Sequence, residues 1–265
     1  MKTIIKLLAI SLASITAMAD EIPKTKVSYV GTWANLSVYK DRELPLWSQQ
    51  IPQASGGQIE AQVTSFTSLG LKGGEVFKLM QSGVLQFGST VLGYVAGDDP
   101  ENEAVDLAGL NSDIDIARRN TEAYKPALTR LYEEKYGIKL LALYPFHAQM
   151  IYCKEPIDGL HDLKGLKIRT FSKSLSEFVE SVGGVGVNIP FAEVVPALQK
   201  GVADCAITGA LSGNLAKWFE VTEYLYALPV GWSMVMMGVN KKSFEKLSPA
   251  AQEKIVAEIE DWEHS

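Results

Sequence analysis

The sequence predicts an α/β protein of two lobes joined by a hinge, with a cleft between them. Three observations carry this expectation. A strand, helix, strand, helix, strand pattern runs over residues 26–87, and a second pattern of alternating strands and helices starts again at Gln149. An apolar strand over residues 234–240 then falls where it can cross back to the first half. Strands that alternate with helices make parallel βαβ units, and two such sets make two sheets.

Residues 1–19 read as a targeting segment rather than structure. Lys2 and Lys6 give a positive start, residues 7–15 are apolar, and Ala17-Met18-Ala19 is a small-x-small cleavage site before Asp20, the layout of a secretory signal peptide. That apolar stretch falls well short of the roughly 20 residues that span a bilayer. The mature chain is therefore expected to be exported.

In the first half, residues 26–30 alternate as a strand, residues 43–54 carry helical spacing closed by Ser55-Gly56-Gly57, and residues 59–63 form a second strand. A short helix over 75–81 ends at Ser82-Gly83, and a third strand over 84–87 leads into a turn rich in Gly and Ser. Residues 98–120 read as polar and irregular, 121–136 as helix and 138–143 as a strongly apolar strand that Pro145 breaks.

The second half opens with a strand ending at Cys153. Residues 166–170 form another strand, which carries Arg169. Ser174 stands three residues before Glu177, the spacing of a capping box. Leu175, Phe178, Val179 and Val182 then make one apolar stripe, stopped by Gly183-Gly184. A strand over 186–189, a short helix over 191–200 and a small-residue strand over 202–208 complete the repeat, and residues 211–219 form a helix. Ser248-Pro249 opens a final helix with an N-cap and a proline in its first turn.

Composition excludes several function classes. Without Lys2 and Lys6 the chain keeps 23 basic against 31 acidic residues, a formal charge of −8. Such a balance argues against nucleic acid or an anionic membrane surface as a partner. His147, His161 and His264 have no metal-ligand spacing, so neither a metal nor a cofactor is expected. No Gly-x-Ser-x-Gly, no Walker glycine loop and no Cys-His constellation occurs, which disfavours an enzyme. Cys153 and Cys205 fall in one lobe of an exported protein, where a disulfide and two buried free thiols both remain open.

Arg169 is the most informative residue. It ends a strand of a parallel sheet and precedes a helix N-terminus, which is where such sheets bind ligands and where anions are favoured. If the ligand is an anion, its positive partner must be local, because the net charge repels it. The competing reading pairs Arg169 with a neighbouring carboxylate such as Asp162 or Glu193.

The runs DLKGLKIRT, IPFAEVVPALQKGVADCAIT and LSPAAQEKIV make the chain resemble the carboxylate-binding (DctP-type) solute-binding proteins of tripartite ATP-independent periplasmic (TRAP) transporters. The resemblance runs from about Lys26 onward. It implies a bilobed periplasmic binding protein of type II-like fold, without catalysis, that captures an organic acid and delivers it to membrane permease subunits. The arginine of the Gly-Leu-Lys-Ile-Arg motif, Arg169, would then pair with the ligand carboxylate through its planar fork. Phe191 would pack on the ligand body. Sialic-acid-binding members carry a second arginine where this chain has Gln149, and an asparagine where it has Thr208. Both departures point to a smaller or more apolar monocarboxylate. Trp33, Phe66, Thr90 and Trp232 are the remaining candidate walls. Lobe I would comprise 20–145 and 237–265, and lobe II 146–236. The helices that follow in the family would lie beyond this sequence. A monomer is expected. A binding protein of the same fold that serves an ATP-driven importer or a sensor kinase is the alternative, followed by a carboxylate-processing enzyme.

Overall fold

The computed structural model describes residues 21–264, so the expected signal peptide lies outside the described residues. Strands β1 to β4 are Thr25–Gly31, Ile59–Ser65, Phe87–Val91 and Ile138–Tyr144; β5 to β9 are Gln149–Cys153, Lys167–Thr170, Val185–Asn188, Cys205–Gly209 and Tyr224–Tyr226; β10 is Val235–Asn240. They form two five-stranded sheets, ordered β2-β1-β3-β10-β4 and β7-β6-β8-β5-β9.

In the first sheet β1, β2 and β3 are parallel, as βαβ connections require. β10 returns from the second half and inserts antiparallel between β3 and β4. All six of its residues are buried, which is why a late apolar strand was legible as a crossover. In the second sheet β6 pairs in parallel with β7 and β8, while β5 runs antiparallel to β8 and β9. Two chain segments join the sheets and pair with each other: Gln149 N–H donates to the Gly231 carbonyl at 2.8 Å, and Val230 N–H to the Gln149 carbonyl at 2.9 Å.

Three local expectations shift. The third strand is Phe87–Val91 rather than 84–87, because Gly88, Ser89 and Thr90 form a buried strand instead of a turn. A side chain at Gly88 would come within 3.0 Å of Val76 on the helix above, so the small residues permit close packing there. Val84 is instead exposed. The helix expected from residue 121 starts at Ile114, where Asp113 Oδ1 accepts from Ile116 N–H at 2.9 Å. Its first turns expose mostly polar groups and so lack an apolar stripe. The helix after β6, Lys173–Ser181, is capped by Ser172 and not by Ser174, which lies inside the first turn. Gly183 ends that region in the left-handed conformation, at φ +85°, that glycine adopts without strain.

Cys153 and Cys205 are directly opposed on β5 and β8 and form a disulfide, which removes the free-thiol alternative. The final helix, Pro249–Glu263, starts at Ser248 as expected and buries Ile255, Ile259 and Trp262.

Candidate functional site

Both sheets present the same edge to the cleft. Trp33, Phe66 and Tyr94 follow the carboxyl ends of β1, β2 and β3, and Arg169 and Phe171 lie at the end of β6. Thr208 lies near the end of β8; Gln149 starts β5, whose antiparallel course brings it to the same edge, opposite Gly209. Sheets of this kind bind ligands beyond the carboxyl ends of their strands.

Two cavities lie there. The outer one, about 550 Å³, is lined by both halves: Trp33, Phe66, Lys72 and Tyr94 from one, and Phe171, Asn188, Phe191 and Glu193 from the other. Its size falls within the range of small-molecule sites. The inner one, about 20 Å³, is floored by Arg169, Gln149, Thr208, Ser212 and Ser233. Trp33, Tyr94, Phe171 and Phe191 line both and form the wall between them. Across the mouth Lys72 and Glu193 approach to 3.6 Å.

Arg169 is 1 % exposed. Its Nε donates to the Ile189 carbonyl and its Nη1 to the Ile207 carbonyl, each at 2.8 Å. Among the described residues Nη2 is buried without a carbonyl or carboxylate partner, and Tyr94 is the side chain that faces the guanidinium. The expected competitors are engaged elsewhere: Asp162 accepts from Asp158 and Gly159 N–H groups, and Glu193 faces Lys72. The structural ion-pair reading of Arg169 is thereby corrected. Burial lowers the Arg169 pKa to about 10, against the opposing influence of Tyr94. It therefore stays charged at neutral pH. Three rings surround the guanidinium, with centroids at 5.3 Å (Phe171), 5.8 Å (Trp218) and 6.0 Å (Phe191). Their faces offset part of the desolvation, but among the described residues no carboxylate neutralises the charge. A buried cation without an ionic partner is costly, and Arg169 lines the inner cavity together with Gln149 and Thr208.

The aromatic wall is held from behind. Trp33 meets Phe66, Tyr94, Phe146 and Phe191 edge-on, with centroids 4.8 to 5.8 Å apart. Thr32, just before it, donates to the buried Glu43 from its N–H at 2.7 Å and its hydroxyl at 3.0 Å, and Tyr144 adds a third donor at 2.7 Å. Burial raises the Glu43 pKa, and these three donors oppose the rise. Phe191 stacks on Trp218 at 5.5 Å.

Thus Arg169, Gln149, Thr208, Phe191, Trp33 and Phe66 converge on the cleft, and two candidates do not. Thr90 is buried within β3, where its hydroxyl donates to the Gly73 carbonyl at 2.7 Å. Its candidacy followed from ending β3 four residues too early. The backbone N–H of Trp232 donates to Asp106 at 2.9 Å and its ring N–H to the Asn111 carbonyl at 3.1 Å, away from both cavities. Tyr94 and Phe171 were missed. Phe171 follows Arg169 by two residues, so the strand-end rule would have found it; Tyr94 needed the corrected end of β3. Among the described residues no group of three His, Cys, Asp or Glu side chains is placed to hold a metal ion.

The sequence model of family 7 of the bacterial extracellular solute-binding proteins (DctP) matches residues 30–263. The ectoine-binding periplasmic protein TeaA of Halomonas elongata is 28 % identical over 217 residues, covering 77 % of this chain and 62 % of that protein. The 2,3-diketo-L-gulonate-binding periplasmic protein YiaO of Escherichia coli is 26 % identical over 212 residues, with 79 % and 60 % covered. The chain thus spans less than two thirds of these relatives. Among solved structures, that of DctP6, a Bordetella pertussis extracytoplasmic solute receptor binding pyroglutamic acid, superposes with a TM-score of 0.82 at 25 % identity, covering 90 % of this chain and 78 % of that one.

Proposed function

The chain belongs to family 7 of the bacterial extracellular solute-binding proteins, and from that premise we propose that it is a receptor that captures a small organic acid between its lobes and delivers it to TRAP-type permease subunits. Arg169 is the observation that carries the reading. It is a fully buried guanidinium with no carboxylate partner and one donor nitrogen, Nη2, left for a ligand. A charge-assisted bond in a dry cleft is worth on the order of 1.5–3 kcal/mol. The acid supplies the missing negative charge, bridges the lobes and shifts an open-closed equilibrium by hinge bending. For this purpose the chain divides between β4 and β5 and between β9 and β10, so the second boundary lies before Val235 and not at 237, which falls inside β10.

The ligand is a monocarboxylate with a compact or apolar body. Gln149 offers no second positive charge, and Trp33, Phe66, Phe171 and Phe191 offer ring faces and edges. A relative that binds pyroglutamic acid supports that class. The test is a thermal-shift screen of mono- and dicarboxylates, followed by calorimetry on the best of them. Monocarboxylates that bind wild type and bind Arg169→Ala at least tenfold more weakly are expected. Equal affinity for both proteins, or a preference for dicarboxylates or uncharged sugars, would refute the reading.

A further inference from the structure

Tyr94 is the one hydroxyl-bearing ring among the described residues in the wall between the two cavities. The other three shared rings are Trp33, Phe171 and Phe191. Tyr94 comes from the first sheet, on the turn Leu92–Tyr94 after β3. Its ring is fixed on three sides: Trp33 at 5.8 Å, Phe171 at 6.3 Å, and Gly73 beneath, where any side chain would come within 2.4 Å of it. Thr90, through the Gly73 carbonyl, fixes that glycine in turn. The phenol is thus held against the inner recess from the lobe opposite Arg169.

We propose that Tyr94 is the first-lobe half of the carboxylate clamp, so that an oxygen of the ligand is held between Arg169 on one lobe and the Tyr94 hydroxyl on the other. The proposal rests on the organic-acid reading and deepens it. Three observations support it. Among the described residues Nη2 of Arg169 is buried without a carbonyl or carboxylate partner, and Tyr94 is the first-lobe side chain that faces the guanidinium. The space left in the recess, about 20 Å³, is close to that of a single water, so a carboxylate enters only when the lobes part and then lies between the two groups as they close. Finally, burial raises the Tyr94 pKa, while the Arg169 charge, a hydrogen bond with the Arg169 side chain and the Phe191 N–H oppose the rise. Its oxygen therefore already faces the donors that a carboxylate would use.

A clamp divided between lobes makes closure depend on the anion. An uncharged analogue of the same shape fills the aromatic wall but leaves both polar groups unsatisfied. Tyr94 then acts mainly on the closed complex, in the dissociation rate and not in the encounter.

The test is Tyr94→Phe, which keeps the ring and its packing. Stopped-flow tryptophan fluorescence would follow the binding of the best monocarboxylate from the screen, with ligand-free melting measured alongside. The expected result is a dissociation rate raised about tenfold, an association rate within twofold of wild type, and an unchanged ligand-free melting temperature. Rates equal to wild type, or tighter binding, would overturn the clamp. So would a weakening matched by an equal fall in ligand-free stability, since that marks a packing role. A wild-type protein that binds none of the acids would overturn the receptor reading itself, and is told apart because it needs no variant.

Discussion

Replacing Arg169 by Met separates a ligand-binding arginine from a structural one. Met keeps an unbranched stem of similar length and removes the charge. Two opposing effects on the ligand-free protein can be sized. The fall in the Arg169 pKa from its ordinary value to about 10 corresponds to a penalty of roughly 3 kcal/mol for burying the charge, which the substitution relieves. Against this, the carbonyls of Ile189 and Ile207 lose their donor, at about 1–3 kcal/mol each. The net change in ligand-free stability is a loss of no more than about 3 kcal/mol, or a small gain. Ligand binding has no such compensation. A carboxylate that accepts a charge-assisted bond from Nη2 loses about 1.5–3 kcal/mol, or roughly ten- to a hundredfold in affinity. The assay is thermal melting with and without acid. At a ligand concentration a hundred times the Kd, wild type gains about 2.7 kcal/mol, a rise of roughly 5–10 °C for a chain of this size. Arg169→Met should keep no more than about half of that rise. A variant that keeps the whole ligand-induced shift would refute the assignment, and so would one that loses more than about 5 kcal/mol without ligand, the signature of a broken internal ion pair.

Three further outcomes follow from named contacts. Converting Cys153 and Cys205 to Ser frees a loop with a sequence separation of 52, which loop-closure entropy rates at about 4 kcal/mol; the urea midpoint should fall accordingly, and a reductant should not lower it further in the variant. Ligand affinity should be flat between pH 6 and 8. The acid is ionised above its pKa of about 4 and Arg169 stays protonated until about 10, so affinity falls only outside those limits; a tenfold slope within the plateau in calorimetry would contradict the pairing. Asp106→Ala removes the acceptor for the N–H groups of Trp232 and Ser233 and for Asn111. It should destabilise by about 2–4 kcal/mol, and an unchanged denaturation midpoint would count against its role in holding the second hinge segment.

What was legible in the sequence was whatever depends on periodicity and local chemistry. The parallel repeats, the crossover of β10 and the cap at Ser248 all have patterns of a few residues, and all were found. Arg169 was legible as a cleft residue because it stands near the carboxyl end of a strand that pairs in parallel on both sides. The misses share a different cause. Gly88-Ser89-Thr90 is a turn by composition and a buried strand by packing, since Val76 lies too close for anything larger. That one shift of register promoted Thr90 and hid Tyr94. Trp232 is an aromatic near a strand end like Trp33, and only the tertiary contact of its backbone with Asp106 turns it from the cleft. The disulfide needed the antiparallel register of β5 on β8, which no local signal specifies.

The two lobes contribute unequally to the site. The second carries the charge and the polar floor on strands: Arg169 on β6, Thr208 on β8 and Gln149 on β5, with the disulfide pinning β5 to β8 four residues from Gln149. Sites built on strands are held more precisely than sites on loops. The first lobe supplies Trp33, Phe66 and Tyr94 from turns that follow its strands. On the receptor reading the second lobe would read the charge of the ligand, and the first would read its shape through Trp33 and Phe66 and one of its oxygens through Tyr94. Changing Trp33 or Phe66 should therefore alter which acids fit, whereas changing Arg169 should alter whether an acid binds at all. The cost of keeping an unpaired guanidinium buried then has a use, because only a ligand that brings a negative charge relieves it and so stabilises the closed form.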